Sequence, residues 1–414
     1  MKTLSDANKR QSYNPDPNTL ADDFRAVHPP LTTKVPTVMQ VLPSLHTGGV
    51  ERGTVDISNA LVSTGWNSIV VSAGGNMANQ ITRAGGRHIK LPIGSKNPLR
   101  WRNTYENLLN TAYRFKVDII HARSRLPAWI SFYVAQKQNT PFITTFHGRY
   151  GDSNFFKKRY NSIMCRGENV IAISYFIAEE IKQRYGIDES RLRVIQRGVD
   201  INTYHPAQVS ADRMINLTKS WRVPDGIPII MLPSRVTRWK GHELLVEALA
   251  LISDIKFHCL MVGPYTDKLR YKFHLENEIR RYGLSSKIYL VGECNDMPAA
   301  YKVADVVISS SIDPEPFGRV IIEAQAMGRP VVASNHGGAT ESIVEGQTGW
   351  LVKPNNPQAL AEGIRKALLV SEEQRDRLSE NSISSVHKYF SSDEMCLKTM
   401  DVYREVLGIK PLRN

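Results

Sequence analysis

From Thr37 onward, short apolar runs alternate with longer amphipathic stretches. The runs at 38–42, 68–72, 117–120, 142–146, 170–173 and 193–195 predict strands, and 50–63, 101–115, 127–138 and 175–185 predict the helices between them. Strands that are apolar on both faces, separated by helices, indicate a parallel sheet covered on each side. The alternation restarts near Ile227, with strands at 227–232, 257–262, 287–291, 306–309 and 330–333. Helices are expected there at 242–252, 268–282, 298–303, 319–327 and 357–369, and a last one at 393–407. The stretch 200–228, with Pro206, Pro224 and Pro228, reads as a linker, and 1–36 as a polar N-terminal arm. The expected fold class is therefore α/β, with two doubly wound Rossmann-like domains facing across a cleft, at 37–207 and 208–390.

Composition agrees with a globular chain. The 414 residues are 42% hydrophobic and 22% charged, which excludes wholesale disorder and fits two domains. No apolar window is long enough for a membrane span, and the N-terminus lacks a secretory core. Cys165, Cys259, Cys294 and Cys396 have neither metal-ligand nor redox spacing, as expected of reduced thiols in a cytoplasmic protein. Charge is less even. Lys and Arg outnumber Asp and Glu by 27 to 15 in residues 1–207 and only by 26 to 25 in 208–414. The first half is therefore the one suited to an anionic partner.

Ligands of doubly wound sheets bind beyond the carboxyl ends of the strands, and five segments there carry chemistry. Gly48-Gly49 ends the first strand and opens a helix, as a tight turn or an anion seat. It lacks a G-x-G-x-x-G pattern and no acidic residue ends the next strand, which disfavours a nicotinamide dinucleotide. In the segment 234–241, Arg235 and Lys240 could clamp a diphosphate, one as a planar fork and the other as a point charge. Glu315 and Glu323 flank Pro316-Phe317-Gly318 at a helix start. Such a pair suits the hydroxyls of a sugar, or the acid and base of a glycosidase. Gly337 and Gly338 follow the next strand, and His147 ends a strand of the first domain.

Taken together, Ser-Arg-x4-Lys-Gly, Glu-Pro-Phe-Gly-x4-Glu-Ala and Val-Val-Ala-Ser-x2-Gly-Gly-x2-Glu, after an N-terminal strand–Gly-Gly–helix, resemble retaining GT-B glycosyltransferases of family 4, glycosyltransferase group 1. The resemblance spans roughly residues 37–390. It implies sugar transfer from a nucleotide diphosphate donor, without metal or other cofactor. The domain 37–207 would face the acceptor, 208–390 would bind the donor, and a C-terminal helix within 391–414 would pack back on the first domain. By motif, Arg235 and Lys240 would hold the diphosphate, with Gly48 and Gly49 against it. Glu323 would hold the ribose diol. Glu315 and the amides of Phe317 and Gly318 would hold the sugar, with Gly337 and Gly338 beside them and His147 near its C6. The chain contains no Asp-x-Asp, the usual metal–diphosphate bridge. One departure is Gln196-Arg197 before Gly-Val-Asp, where the family often has Pro-Asn.

Arg123 and Arg125 end a first-domain strand and suggest an acceptor pocket for something anionic. Arg100, Arg102, Lys157, Lys158 and Arg159 interleave with aromatics, as on a surface that meets anionic membrane at the inner face of the cell membrane. That suits a lipid-linked or cell-envelope glycan acceptor of lipopolysaccharide or capsule type. No nucleic-acid motif occurs. Another GT-B enzyme, an epimerase or phosphorylase, stays open at this point, as does a non-catalytic sugar-nucleotide or membrane-binding module.

Overall fold

The computed structural model describes residues 34–46, 48–151, 154–265, 269–410 and 412. The polar arm lies outside these residues except for 34–36. The first half forms a seven-stranded parallel sheet of β1 (Thr37–Val41), β2 (Asn67–Ser72), β3 (Arg87–Lys90), β4 (Ile119–Ala122), β5 (Phe142–Phe146), β6 (Asn169–Ala172) and β7 (Leu192–Val194). Its spatial order is β3-β2-β1-β4-β5-β6-β7. The second half forms a six-stranded parallel sheet of β8 (Ile229–Pro233), β9 (His258–Val262), β10 (Ile288–Gly292), β11 (Val306–Ser309), β12 (Val331–Ser334) and β13 (Gly349–Val352). Its order is β10-β9-β8-β11-β12-β13.

The central strands are buried along their length, as their apolar runs require. Two strands escape the sequence pattern because they are edges. Arg87–Lys90 is mostly polar and partly exposed, and Gly349–Val352 is half-buried. The pattern also misses helices at Ala78–Arg83, Phe155–Asn161 and Glu372–Tyr389.

The stretch 200–228 is not an open linker. It holds the helix Ala211–Trp221, which packs against the helix Met297–Val303 of the second half. Arg213 there pairs with Asp296 at 2.6 Å, and Lys302 donates to the carbonyls of Pro206 and Val209.

The chain crosses between the sheets at two places that lie side by side. Val199 donates to the Phe390 carbonyl at 2.9 Å, and Ser392 donates back to Val199 at 2.8 Å. A Cβ on Gly198 would stand 2.4 Å from the Ser391 carbonyl oxygen, so only glycine allows this approach. After the second crossing, the helix Ser392–Val406 lies on Gly49–Ser63 of the first half and buries Tyr403 completely. The apolar cluster of the first sheet also includes Phe317, Ile322, Ala326, Val386 and Phe390, so one core runs through both halves.

Candidate active site

Every motif of the second half sits at the carboxyl ends of the neighbouring strands β8, β11 and β12. Those of the first half sit at the ends of β1, β4 and β5, also neighbours. The two sets face each other. Arg319 Cδ lies 3.4 Å from where a Cβ on Gly49 would stand, and Pro316 Cγ lies 3.4 Å from the same point on Gly148. Ser174 donates to the Pro316 carbonyl at 2.6 Å. Glu341 accepts from the Tyr175 and Phe176 amides, at 3.0 and 2.8 Å, and from the Gln196 side chain at 2.8 Å. Those amides open the helix Tyr175–Tyr185, whose dipole favours a carboxylate.

On the second-half side the charges are paired. Lys240 Nζ meets Glu315 Oε1 at 2.7 Å, and Ser311 also donates to that oxygen. Glu323 accepts from Tyr301 at 2.9 Å and pairs with Arg319 at 2.8 Å, one helical turn away. Both glutamates are buried, whereas Arg235 at the end of β8 is exposed. Gly318 has φ +95° and opens the helix Arg319–Ala326, a backbone state that favours glycine. Gly337 and Gly338 have a packing reason as well. A Cβ on Gly337 would stand 2.5 Å from the Glu315 carbonyl oxygen, and one on Gly338 would stand 2.4 Å from Phe317 Cα. They let the β12 turn lie directly against the Glu-Pro-Phe-Gly loop. The Phe317 side chain itself belongs to the core.

The first-half side is different. Gly48 has no strained backbone; the Glu51 carboxylate folds over it and covers the helix start. One turn on, Gly53 makes room for two guanidinium groups. A Cβ there would stand 2.5 Å from Arg197 Nη1 and 3.4 Å from Arg123 Nη2. Arg123 is 2% exposed and donates to Gln40 at 3.0 Å; Arg197 is 5% exposed and donates to His147 Nδ1 at 2.8 Å. Burial, with Arg123 and Arg319 nearby, pushes the Arg197 guanidinium down to about 9. Burial, then Arg197, Arg123 and His121, hold His147 well below the usual imidazole range. Burial pushes the Asp56 carboxyl up to about 6, against the pull of Arg52 and Arg319.

Arg125 parts from its neighbour. It donates to Asn161 at 2.8 Å and covers the Tyr150 ring at 4.3 Å, within the first half. The basic–aromatic segments converge although they are far apart in sequence. Trp129 donates to the Tyr160 carbonyl at 3.2 Å, and with Trp101, Arg102, Tyr105, Tyr133 and Lys137 it lines a cavity of about 700 Å³. Arg100, Lys158 and Arg159 are exposed, Lys157 lies with the last two on the short helix Phe155–Asn161, and Arg102 pairs with Glu106. Sequence reasoning missed Arg319, Tyr301, Ser311, Glu341 and Gly53. Glu341 had a visible signal, closing the Gly-Gly-x2-Glu motif; Gly53 had only its place inside an apolar helix.

Two parallel-sheet Rossmann-like domains with strand-end loops meeting across a cleft define a GT-B architecture. Residues 47–203 match the model of Glycosyltransferase Family 4, and residues 215–385 match that of Glycosyl transferases group 1. A solved glycosyltransferase of Rickettsia africae ESF-5 is 38% identical, with TM-score 0.84, over 90% of this chain and 99% of that one. An uncharacterized glycosyltransferase of Methanocaldococcus jannaschii is 27% identical over 91% of this chain and all of its own length. HepE of Anabaena, solved with UDP and glucose, is 23% identical with TM-score 0.79, over 89% and 100% of the two chains, a likeness of fold. The chain belongs to the glycosyltransferases of group 1, with a family 4 domain before the group 1 domain, and it is an enzyme.

Proposed function

We propose that this enzyme moves a sugar from a nucleotide diphosphate sugar to a glycan acceptor, with retention and without metal. The observation that carries this is the gathering of Lys240 and the buried Glu315 and Glu323 around a glycine-opened helix start opposite Gly49, with Arg235 following the neighbouring strand β8. Arg235 and Lys240 stabilise the departing diphosphate, aided by the dipole of the helix at Arg319. Arg319 and Tyr301 orient the Glu323 carboxylate, whose remaining lone pairs accept from a ribose diol. Glu315 and the Phe317 and Gly318 amides hold the sugar. HepE, of the same fold, binds UDP and glucose, which supports a nucleotide sugar as the donor. Residues 37–207 serve the acceptor and 208–390 the donor.

A donor screen that follows nucleoside diphosphate release, with and without lipid-linked acceptors and in excess chelator, tests this. Release in chelator, and a product whose anomeric proton resonance keeps the donor configuration, are expected. Inversion, or activity restored only by manganese or magnesium, would overturn retention or metal independence.

The acceptor side points to a membrane. Phe155 and Phe156 are 72% and 78% exposed beside Lys157, Lys158 and Arg159, on a helix whose Tyr160 stacks on Trp129 of the aromatic cavity. Such a face suits an anionic cytoplasmic leaflet, and so a lipid-linked glycan acceptor. Among the described residues no helix is long and apolar enough to cross a membrane, so the contact would be peripheral.

A further inference from the structure

The pair formed by Arg197 and His147 has a consequence for the chemistry of the site. Arg197 Nη2 lies 2.8 Å from His147 Nδ1. A guanidinium has donors only, so Nδ1 must be the acceptor of this bond. The ring proton then resides on Nε2. That nitrogen is buried and has no hydrogen-bond partner among the described residues. A buried donor without an acceptor is costly, and the histidine directly follows β5, next to Gly148, which stands against Pro316 of the Glu-Pro-Phe-Gly loop across the cleft.

We infer that Arg197 is a positioning residue that locks His147 as the neutral Nε2–H tautomer, so that His147 recognises a substrate oxygen by donation and cannot serve as a base. The substrate half of this inference rests on the transfer reaction proposed above; the tautomer does not. The ligand atom is an oxygen with a free lone pair, a hydroxyl or carboxylate of the sugar.

The surroundings agree. The titratable groups acting on His147 are Arg197, Arg123 and His121, with no carboxylate among them. His121 is itself occupied on both nitrogens, by Tyr403 at 2.6 Å and Thr145 at 2.7 Å. Burial and the two guanidinium groups oppose an imidazolium cation at His147, so the ring stays neutral and its one proton is committed. Gly53 is part of the device. It vacates the space beside the helix that Arg197 needs, since any larger residue would carry a Cβ 2.5 Å from Nη1.

Nitrogen-15 spectra of the full chain labelled at histidine test the lock, with His147→Gln used only to assign the signal. At pH 7 the wild-type ring is expected to be neutral, with Nδ1 bare and Nε2 protonated. In Arg197→Met the Nδ1 bond is gone, the proton is shared between the nitrogens, and the two shifts converge. Arg197→Lys keeps one donor and restores the wild-type pattern. A wild-type proton on Nδ1, a charged ring at pH 7, or no change in Arg197→Met overturns the lock. The wild-type spectrum alone decides if the variants do not fold. Adding UDP-sugars then separates the two claims. A nucleotide sugar that binds and shifts the Nε2 proton downfield supports donation, and one that binds without moving it refutes donation. Failure of every nucleotide sugar to bind refutes the transfer reading and leaves the tautomer result standing.

Discussion

The two faces of the cleft handle buried charge in opposite ways. On the second-half face the two motif glutamates each have a cation, Lys240 for Glu315 and Arg319 for Glu323, while Glu341 accepts from neutral amides. On the first-half face, buried Arg123 and Arg197 donate to neutral partners, Gln40 and His147. Buried charges are tolerated when paired and costly when not. The paired face therefore holds its geometry without a ligand, and a ligand there meets carboxylates already held by Lys240 and Arg319. The other face buries two guanidinium groups, and of the carboxylates acting on them, Asp56 and Glu51, the Asp56 carboxyl is pushed up to about 6 by burial. A donor with two phosphates and an acceptor with an anionic group would draw on these two faces in different ways.

Breaking the second-half face should have the largest effect. Arg235→Ala is expected to lower kcat by about 10²–10³-fold, about 3–4 kcal/mol, as for loss of one charge-stabilising donor. Arg235→Lys should restore only part, because the planar fork is lost. Steady-state rates check both, and a wild-type kcat in Arg235→Ala would make that side chain a solvated one. Next in size is the basic face proposed to meet a membrane. Reversing Lys157, Lys158 and Arg159 to Glu should weaken co-sedimentation with anionic vesicles by about 1 kcal/mol for each cation lost, with nucleotide affinity unchanged. Added salt should act in the same direction, and vesicle binding indifferent to lipid charge would refute the contact.

Glu323→Ala should weaken binding of the nucleoside diphosphate alone by about tenfold or somewhat more, the range for a lost charged hydrogen bond. Calorimetry reads this directly, and unchanged affinity would remove Glu323 from the ribose.

The smallest effect concerns stability on the first-half face. Folding raises the Asp56 carboxyl from 3.8 to about 6. The folded chain thus binds a proton that the unfolded chain releases, and this contribution is fully present below about pH 4 and lost as pH rises to about 6. Asp56→Asn removes the dependence. It should stabilise the protein at pH 7.5 by on the order of 1–2 kcal/mol, less than the full linkage because Arg52 and Arg319 lose a neighbour, and should give no gain at pH 4. Thermal melts at the two pH values measure it, and an equal shift at both would contradict the assignment.

Legibility followed the physics of each feature. The central strands were visible as apolar runs because both faces are covered, while Arg87–Lys90 was not, since an edge strand buries little. Glycines at strand ends marked Gly49, Gly318, Gly337 and Gly338 in advance, because tight turns demand them. Their reasons differ in the fold: Gly318 and Gly337 carry left-handed backbones, and Gly337 and Gly338 admit the neighbouring loop. Arg123 and Arg125 looked equivalent two residues apart, yet one is buried at the cleft and the other stacks on Tyr150. Arg123 directly follows β4, whereas Arg125 is the first residue of the helix Arg125–Gln138, and this change of element sends the two side chains to different neighbours.

By itself, then, the sequence determined the tandem parallel sheets, the strand-end segments that carry Arg235, Lys240 and Glu315, the helix with Glu323 that follows, and the basic bias of the first half. These follow from local patterning, turn chemistry and counting of charges, which need no partner. Tertiary structure alone decided which charges are paired, because ion pairs such as Lys240–Glu315 join residues from different loops. It alone brought Arg197 to His147 and made Gly53 the space for both arginines. It alone turned the last helix back to set Tyr403 on His121. Each of these depends on burial and on contact between distant segments, and so on the packing of the whole chain.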